Sequence, residues 1–262
     1  MRDVVIVGGG LFGSIAAAAL RDAGMDVCLI DDGRPRSGSR AAGCLMKPSW
    51  LSKMGRDNVD ASFRLLDRLY GLRTISLKAG PLSVNAEWVN PDLVLRSPRQ
   101  MRKVTATLPG RVYFGTGEVL EAKKVIVACG AWTKALIPGC DVTGKIGVSI
   151  RLNAAPEDNR IDPWAPYKQL VRFSTGDFHW AGDGTAIIEK NWTLDRERAS
   201  LDRIIEFAGE GQARVGIRPY VSTSDPAALE EVAPGLWSLT GGGKNGTAAA
   251  GWAASRLLEA LT

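Results

Sequence analysis

The chain has 262 residues, with 33 Lys and Arg against 28 Asp and Glu, a single His, four Cys and an apolar share of 45%. That length and apolar share suffice for a full core, which excludes a disordered tail or a disulfide-stapled miniprotein. The apolar pattern opens at Val4 and leaves no room for a secretory signal, and no apolar run approaches the roughly 18 to 20 residues of a bilayer span, so a soluble, cytosolic protein without a membrane segment is expected.

In chain order, a buried-strand run at 3–8 leads to a helix over about 11–23 and a second strand at 26–31, a βαβ opening with Gly24 placed to end the helix. The segment 57–70 repeats apolar residues at helical spacing, with Asn58 or Asp60 as candidate caps. From about 75 to 120 the pattern is short and strand-like, punctuated by Gly80-Pro81, Asn90-Pro91, Ser97-Pro98 and Pro109-Gly110. A buried strand follows at 124–128, closed by Gly130. Strands and turns fill 145–190, a helix 195–209, and strands 215–221 and 236–240; the triple glycine Gly241–Gly243 then introduces a helix over about 247–261.

The fold class this predicts is α/β, a Rossmann-like nucleotide-binding domain with a β-rich insertion threaded through it. Residues 1–76, 120–144 and 215–262 are assigned to the nucleotide-binding domain, and 77–119 and 145–214 to the inserted substrate domain. Cys28, Cys44, Cys129 and Cys140 lie far apart, with no CxxC pair and one His to join them, so no metal site is expected. Cys28 and Cys129 read as small buried hydrophobes.

Residues 34–103 hold 14 basic and 5 acidic side chains, while the rest of the chain is slightly acidic. Such asymmetry reads either as a surface offered to a polyanion, nucleic acid above all, or as a solvated face.

Gly8, Gly10 and Gly13 stand in GxGxxG spacing between a strand and a helix. Gly8 permits the tight turn, Gly10 the approach of a pyrophosphate to backbone, and Gly13 close packing of helix on strand. The second strand ends in Asp31-Asp32, where a carboxylate would hold ribose hydroxyls; Asp31 is the nearer to the strand end. A nicotinamide enzyme would continue with regular βα units. Here strand-rich sequence follows, and a Gly-rich turn returns late before the final helix, which favours FAD.

Four segments resemble the FAD-dependent oxidoreductases of the D-amino acid oxidase and glycine oxidase type: VVIVGGGLFGSIAAAAL, SGSRAAGCLMKP, VIVACGAWT, and GIRPYVS followed by LWSLTGGGKNGTAAAGWAASRLL. Their order is the family's order. The resemblance implies noncovalent FAD held by Gly8, Gly10, Leu11, Phe12 and Gly13; by Asp31 and Asp32; by the covering loop Ser39, Arg40, Ala41, Ala42 and Gly43; by Ala128, Gly130 and Trp132; and by Gly242, Gly243, Lys244, Asn245, Gly246 and Thr247. Two departures stand out. Family members are longer, the shortfall falling between roughly residues 70 and 120, which implies a more open active site suited to a bulky substrate. The loop GGKNG replaces a sequence in which an aromatic or His with Arg commonly precedes Asn-Gly.

By the same resemblance, Arg218 matches the position whose guanidinium grips a substrate carboxylate, orienting the neighbouring carbon for hydride transfer to the flavin. Tyr220 and Tyr167 are candidates to add a hydroxyl there, and Lys244 and Lys47 to hold flavin or oxygen charge. His179 is a candidate substrate contact, with a structural role as the alternative. Trp88, Trp164, Trp180 and Trp192 fall in the inserted strands, where they either stack on a planar base or simply pack.

Three functions compete. The first is oxidation of a glycyl-methyl-uracil base carried on nucleic acid, as in tRNA wobble-uridine or bacteriophage DNA hypermodification, giving an aminomethyl base and glyoxylate with oxygen reoxidising the flavin. The second is an oxidase of free glycine, sarcosine or a D-amino acid. The third is a noncatalytic flavin-binding subunit.

Overall fold

The computed structural model describes residues 1–165 and 168–262; Tyr167 lies outside the described residues. Val4 to Val7 sit inside the first strand, Arg2–Val7, and their alternation sets the layers. Val4 and Ile6 turn to one apolar cluster, Val5 and Val7 to another. Burial on both faces marks the strands of a covered parallel sheet. Five strands run parallel in the order Leu236–Gly241, Val119–Val127, Arg2–Val7, Val27–Asp31 and Gln100–Met101. Arg2–Val7 thus lies between two later strands, so its carboxyl end faces the crevice where ligands bind in open α/β sheets.

Helices Leu11–Asp22, Arg56–Tyr70 and Gly246–Leu261 contribute to the first cluster. They approach closely because their facing residues are small: Ala16, Ala17 and Ala19 on one, Ala248 to Ala250 on another. Gly24, at φ +85°, follows the first helix as its position predicts. The second helix begins at Arg56 behind Gly55, whose φ of +76° makes the turn, so neither Asn58 nor Asp60 is the cap. Asn58 instead lies one turn inside, its amide donating to the Met54 carbonyl and its Oδ1 accepting from Trp252 Nε1.

Among the described residues a second, largely antiparallel sheet has nine strands. Its spine is the full-length pairing of Val142–Leu152 with Gly211–Val221. The helix Leu194–Ala208 covers part of it through Ile204, against Val148 and Ile150, while Leu77, Trp88, Phe173 and Phe178 form a separate cluster.

The chain divides between the sheets differently from the boundaries drawn at 77, 120 and 215. The hairpin Val104–Leu108/Arg111–Phe114 pairs through Arg111, Val112 and Tyr113 with Val119–Val127, which joins it to the nucleotide sheet. Strand Arg73–Ala79 already belongs to the second sheet, as does all of Gly211–Val221, because its residues bond across to Val142–Leu152. Among the described residues no helix is long and apolar enough to cross a membrane.

Candidate active site

A cavity of about 1010 Å³ opens at the carboxyl end of Arg2–Val7, between the two sheets. Its floor is the glycine turn. Gly8 has φ +108°, and a Cβ there would lie 2.4 Å from the Ala128 carbonyl oxygen. A Cβ at Gly13 would fall 1.8 Å from the Gly8 carbonyl, so Gly13 faces the strand and not the cavity. Two helices, of 12 and 16 residues, begin at this cavity with no acidic residue in their first turns, leaving their positive ends directed toward it.

The roof is the segment 36–46, bound to the start of the first helix and to the second sheet. Ser39 Oγ accepts from the Leu11 amide at 2.8 Å, while Ser149 Oγ and Trp180 Nε1 both donate to the Ala41 carbonyl. Trp88 Nε1 donates to the Gly43 carbonyl, and the Ile217 amide to the Arg36 carbonyl. Gly38 and Gly216 let the roof lie directly on the second sheet: a Cβ on Gly216 would come 3.0 Å from Gly38 Cα. Trp180 lies between Gly43 and Gly182, where side chains would strike its ring.

Of the candidate cofactor residues, all but Gly13 and Gly242 line this cavity. Gly242, at φ +80°, makes the turn into the final helix, and a Cβ there would meet Ala249 and Phe12. Asp31 and Asp32 both line the cavity and both are paired, Asp31 with Arg99 at 3.3 Å and Asp32 with Arg34 at 2.6 Å. Arg34 also lies 5.0 Å over the ring of Trp132. Arg99 donates to the Gly9 carbonyl, to Asp31 and to the Leu95 carbonyl, joining the glycine turn to the second strand's carboxylate. It was legible only as one member of a basic cluster.

Arg218 sits on the cavity wall. Its Nη1 donates to the Thr185 carbonyl at 2.8 Å, and its guanidinium lies across Gly147, where a Cβ would come within 2.5 Å of Nη2. Burial pushes the Arg218 pKa down, opposed by Tyr220 and Asp183. An arginine stays charged regardless, so burial leaves a cation that seeks an anion. Tyr220 and Lys244 adjoin it. Burial raises the Tyr220 pKa against the pull of Arg218 and of the Lys244 backbone. Partial burial, then the charges of Arg218, Lys168 and Lys145, hold the Lys244 ammonium below the ordinary lysine range, with Asp183 opposing. Tyr220 itself faces a neighbouring cavity and not the main one.

His179 stands apart from this group. Its Nδ1 meets Ser174 Oγ at 2.8 Å across a strand pair, and it lines neither cavity, because the alternation of Phe178–Gly182 sends its neighbour Trp180 to the site instead. Lys47 lies 5.8 Å over the Trp50 ring, outside the lining. Among the tryptophans, Trp88 and Trp192 pack in apolar clusters and Trp164 lies beneath Arg203 and Lys168. Of these four, Trp180 alone lines the main cavity. Burial pushes the thiols of Cys44 and Cys129 up to about 12, which leaves them neutral. Among the described residues no group of three or more His, Cys, Asp or Glu side chains is assembled as for a metal ion.

The basic segment 34–103 is partly neutralised in space, since Asp22, Asp31, Asp32, Glu118 and Asp158, all from outside it, pair with its cations. Even so, eight basic side chains line the main cavity against two acidic ones.

A covered parallel sheet with a glycine turn at its carboxyl edge, opening on a cavity of this size and charge, defines a dinucleotide-binding oxidoreductase fold. Residues 2–161 match the family model for pyridine nucleotide-disulphide oxidoreductases, and the chain belongs to that family. In three dimensions the chain is similar to iminodiacetate oxidase from Chelativorans sp. BNC1, with a TM-score of 0.75 and 18% identity over 98% of this chain and 94% of that one. It is similar also to glycine oxidase from Bacillus cereus, at a TM-score of 0.70 and 16% identity over 100% and 97% of the two chains. L-proline dehydrogenase from P. horikoshii gives 0.68 and 13%, over 100% and 93%. At these identities the shared property is the fold, a Rossmann-like domain joined to a β-rich one. No curated protein matches the sequence. Family and cavity together support FAD as the cofactor.

Proposed function

We propose that the protein is an FAD-dependent oxidoreductase acting on a carbon–nitrogen bond next to a carboxylate. The observation that carries this reading is Arg218, a half-buried guanidinium held by the Thr185 carbonyl on the wall of the cofactor cavity. Asp31 and Asp32 would meet the ribose, the Gly8–Gly10 turn and the start of the first helix the pyrophosphate, and the loop Gly243–Thr247 with its helix start the flavin end. Bound FAD would supply the two-electron oxidation, taking a hydride from the carbon between nitrogen and carboxylate. Arg218 contributes orientation: one guanidinium edge is committed to Thr185, and the remaining donors are free to fix a carboxylate in one plane. Lys244, kept less basic than a free lysine, adds positive charge at the flavin end, where the oxidation leaves negative charge. Such a reaction needs no side-chain acid, in keeping with the position of His179 outside the lining.

The finer reading is that the amine is a glycyl-methyl-uracil base on nucleic acid, water then splitting the carbon–nitrogen double bond into glyoxylate and the aminomethyl base. The excess of basic over acidic side chains in the lining, six of them supplied by the 34–103 segment, supports an anionic carrier. The test is the visible absorption of the FAD-loaded protein without oxygen, titrated with an oligonucleotide carrying that base and, in parallel, with glycine. Bleaching by the oligonucleotide alone is expected. Bleaching by glycine alone overturns the nucleic-acid reading, and a flavin band unchanged by both overturns the oxidase reading in favour of a noncatalytic flavoprotein.

A further inference from the structure

Behind Lys244 the main cavity adjoins a second one, of about 500 Å³, that shares Gly184, Gly243, Lys244 and Asn245 with it. Three lysines line this chamber, Lys145, Lys168 and Lys244, from three separate parts of the chain. Lys145 Nζ lies 4.1 Å over the ring of Tyr220, and Lys168 Nζ lies 4.8 Å over that of Trp164. Among the described residues, Asp225 is the one acidic member of the lining. The nearby Asp183 is already occupied: it pairs with Arg203 at 2.9 Å and accepts from both the amide and the hydroxyl of Thr185. Like charges gathered against one carboxylate repel: after burial, the charges of Arg218, Lys168 and Lys145 add to the lowered basicity of Lys244, with Asp183 opposing. An anion in the chamber relieves that repulsion.

We infer that this chamber is a second anion subsite, which takes a phosphate or carboxylate group of the substrate while Arg218 holds the carboxylate beside the reacting carbon. The inference rests on the oxidase reading and adds to it a substrate with two anionic groups, one on each side of Lys244. Gly243, which lines both cavities, lies directly against Tyr220, since a Cβ there would come within 2.7 Å of its ring. The two aromatic rings hold Lys145 and Lys168 without neutralising them, leaving their N–H donors for the ligand.

The test uses the FAD-loaded protein, its Lys145→Ala/Lys168→Ala double variant and a Lys168→Arg control, all checked for flavin content. Calorimetric titration with inorganic phosphate and with malonate is expected to show binding that weakens about tenfold or more in the double variant, survives in Lys168→Arg and falls with added salt. In oxygen-free bleaching, the double variant is expected to raise the half-saturating concentration of a glycyl-methyluridine 5′-phosphate, or of iminodiacetate, while leaving that of glycine and of the unphosphorylated nucleoside unchanged. The phosphate arm and the dicarboxylate arm distinguish the two sources of the anion. Equal phosphate and malonate affinity in wild type and double variant overturns the subsite. A flavin that no amine bleaches overturns the oxidase reading instead, and leaves the calorimetric result to stand or fall alone. Should the double variant lose its flavin, Lys145→Gln and Lys168→Gln taken singly carry the same comparison.

Discussion

Arg218 is useful because of what it lacks as much as what it holds. Gly147 gives its guanidinium a bare strand to lie on and Thr185 gives it one carbonyl, but among the described residues no carboxylate pairs with it. Arg218→Lys keeps the charge and loses the planar fork, so kcat/KM for a carboxylate-bearing amine is expected to fall by the equivalent of about 1.5–3 kcal/mol while flavin content stays at the wild-type level. Steady-state oxygen uptake checks the first and the absorbance ratio the second. Gly8→Ala acts differently: it forces a Cβ into the Ala128 carbonyl at a left-handed φ, and is expected to yield protein that retains no flavin and unfolds at lower urea. At this scale the glycines and Asp31 were legible, because they follow one another at local spacing. Arg99, Gly147 and Thr185 were not. Arg99 reaches Gly9 across 90 positions, and nothing in its own neighbourhood distinguishes it from the other cations of its cluster.

At the scale of elements, the helices show where small residues do structural work. Ser62 Oγ donates to the Ala248 carbonyl at 2.7 Å, and a Cβ on Gly251 would come 2.4 Å from that same hydroxyl. Gly251→Val is therefore expected to part Arg56–Tyr70 from Gly246–Leu261 and cost about 1–3 kcal/mol in a urea unfolding experiment, against about 1 kcal/mol for Ser62→Ala. Most helix and strand positions could be read from apolar periodicity, since Val4–Val7 and the amphipathic 56–70 segment announce their type locally. The cap of the second helix and the allegiance of the 104–114 hairpin could not. The first depends on the φ of Gly55, and the second on which distant strand receives Arg111 to Tyr113.

Across the whole molecule, charge ties strands together as well as lining cavities. Asp158 receives Arg172, Arg160 and Lys78, and these partners, Arg172 foremost, hold its carboxyl down to about 2. A carboxyl whose folded pKa lies below its unfolded one stabilises the fold above the unfolded value and loses that contribution as pH falls through the folded one. Asp158→Asn is thus expected to melt below wild type at pH 7, with the gap closing between about pH 4 and pH 2. Thermal melts across that range check it. The basic excess of residues 34–103, which in the sequence reads as a surface for a polyanion or as a solvated face, is redistributed by folding, since acids from other segments reach back to it and six of its cations line the cavity.

The roof over the glycine turn is hydrogen-bonded to Ser149, Trp180 and Trp88, all of which belong to the second sheet. The lid over the glycine turn is therefore an outgrowth of the second sheet. On the proposed reading, a change in that sheet would reach the cofactor through its lid, so the absorption and fluorescence of bound flavin would gauge the second sheet even when no turnover takes place.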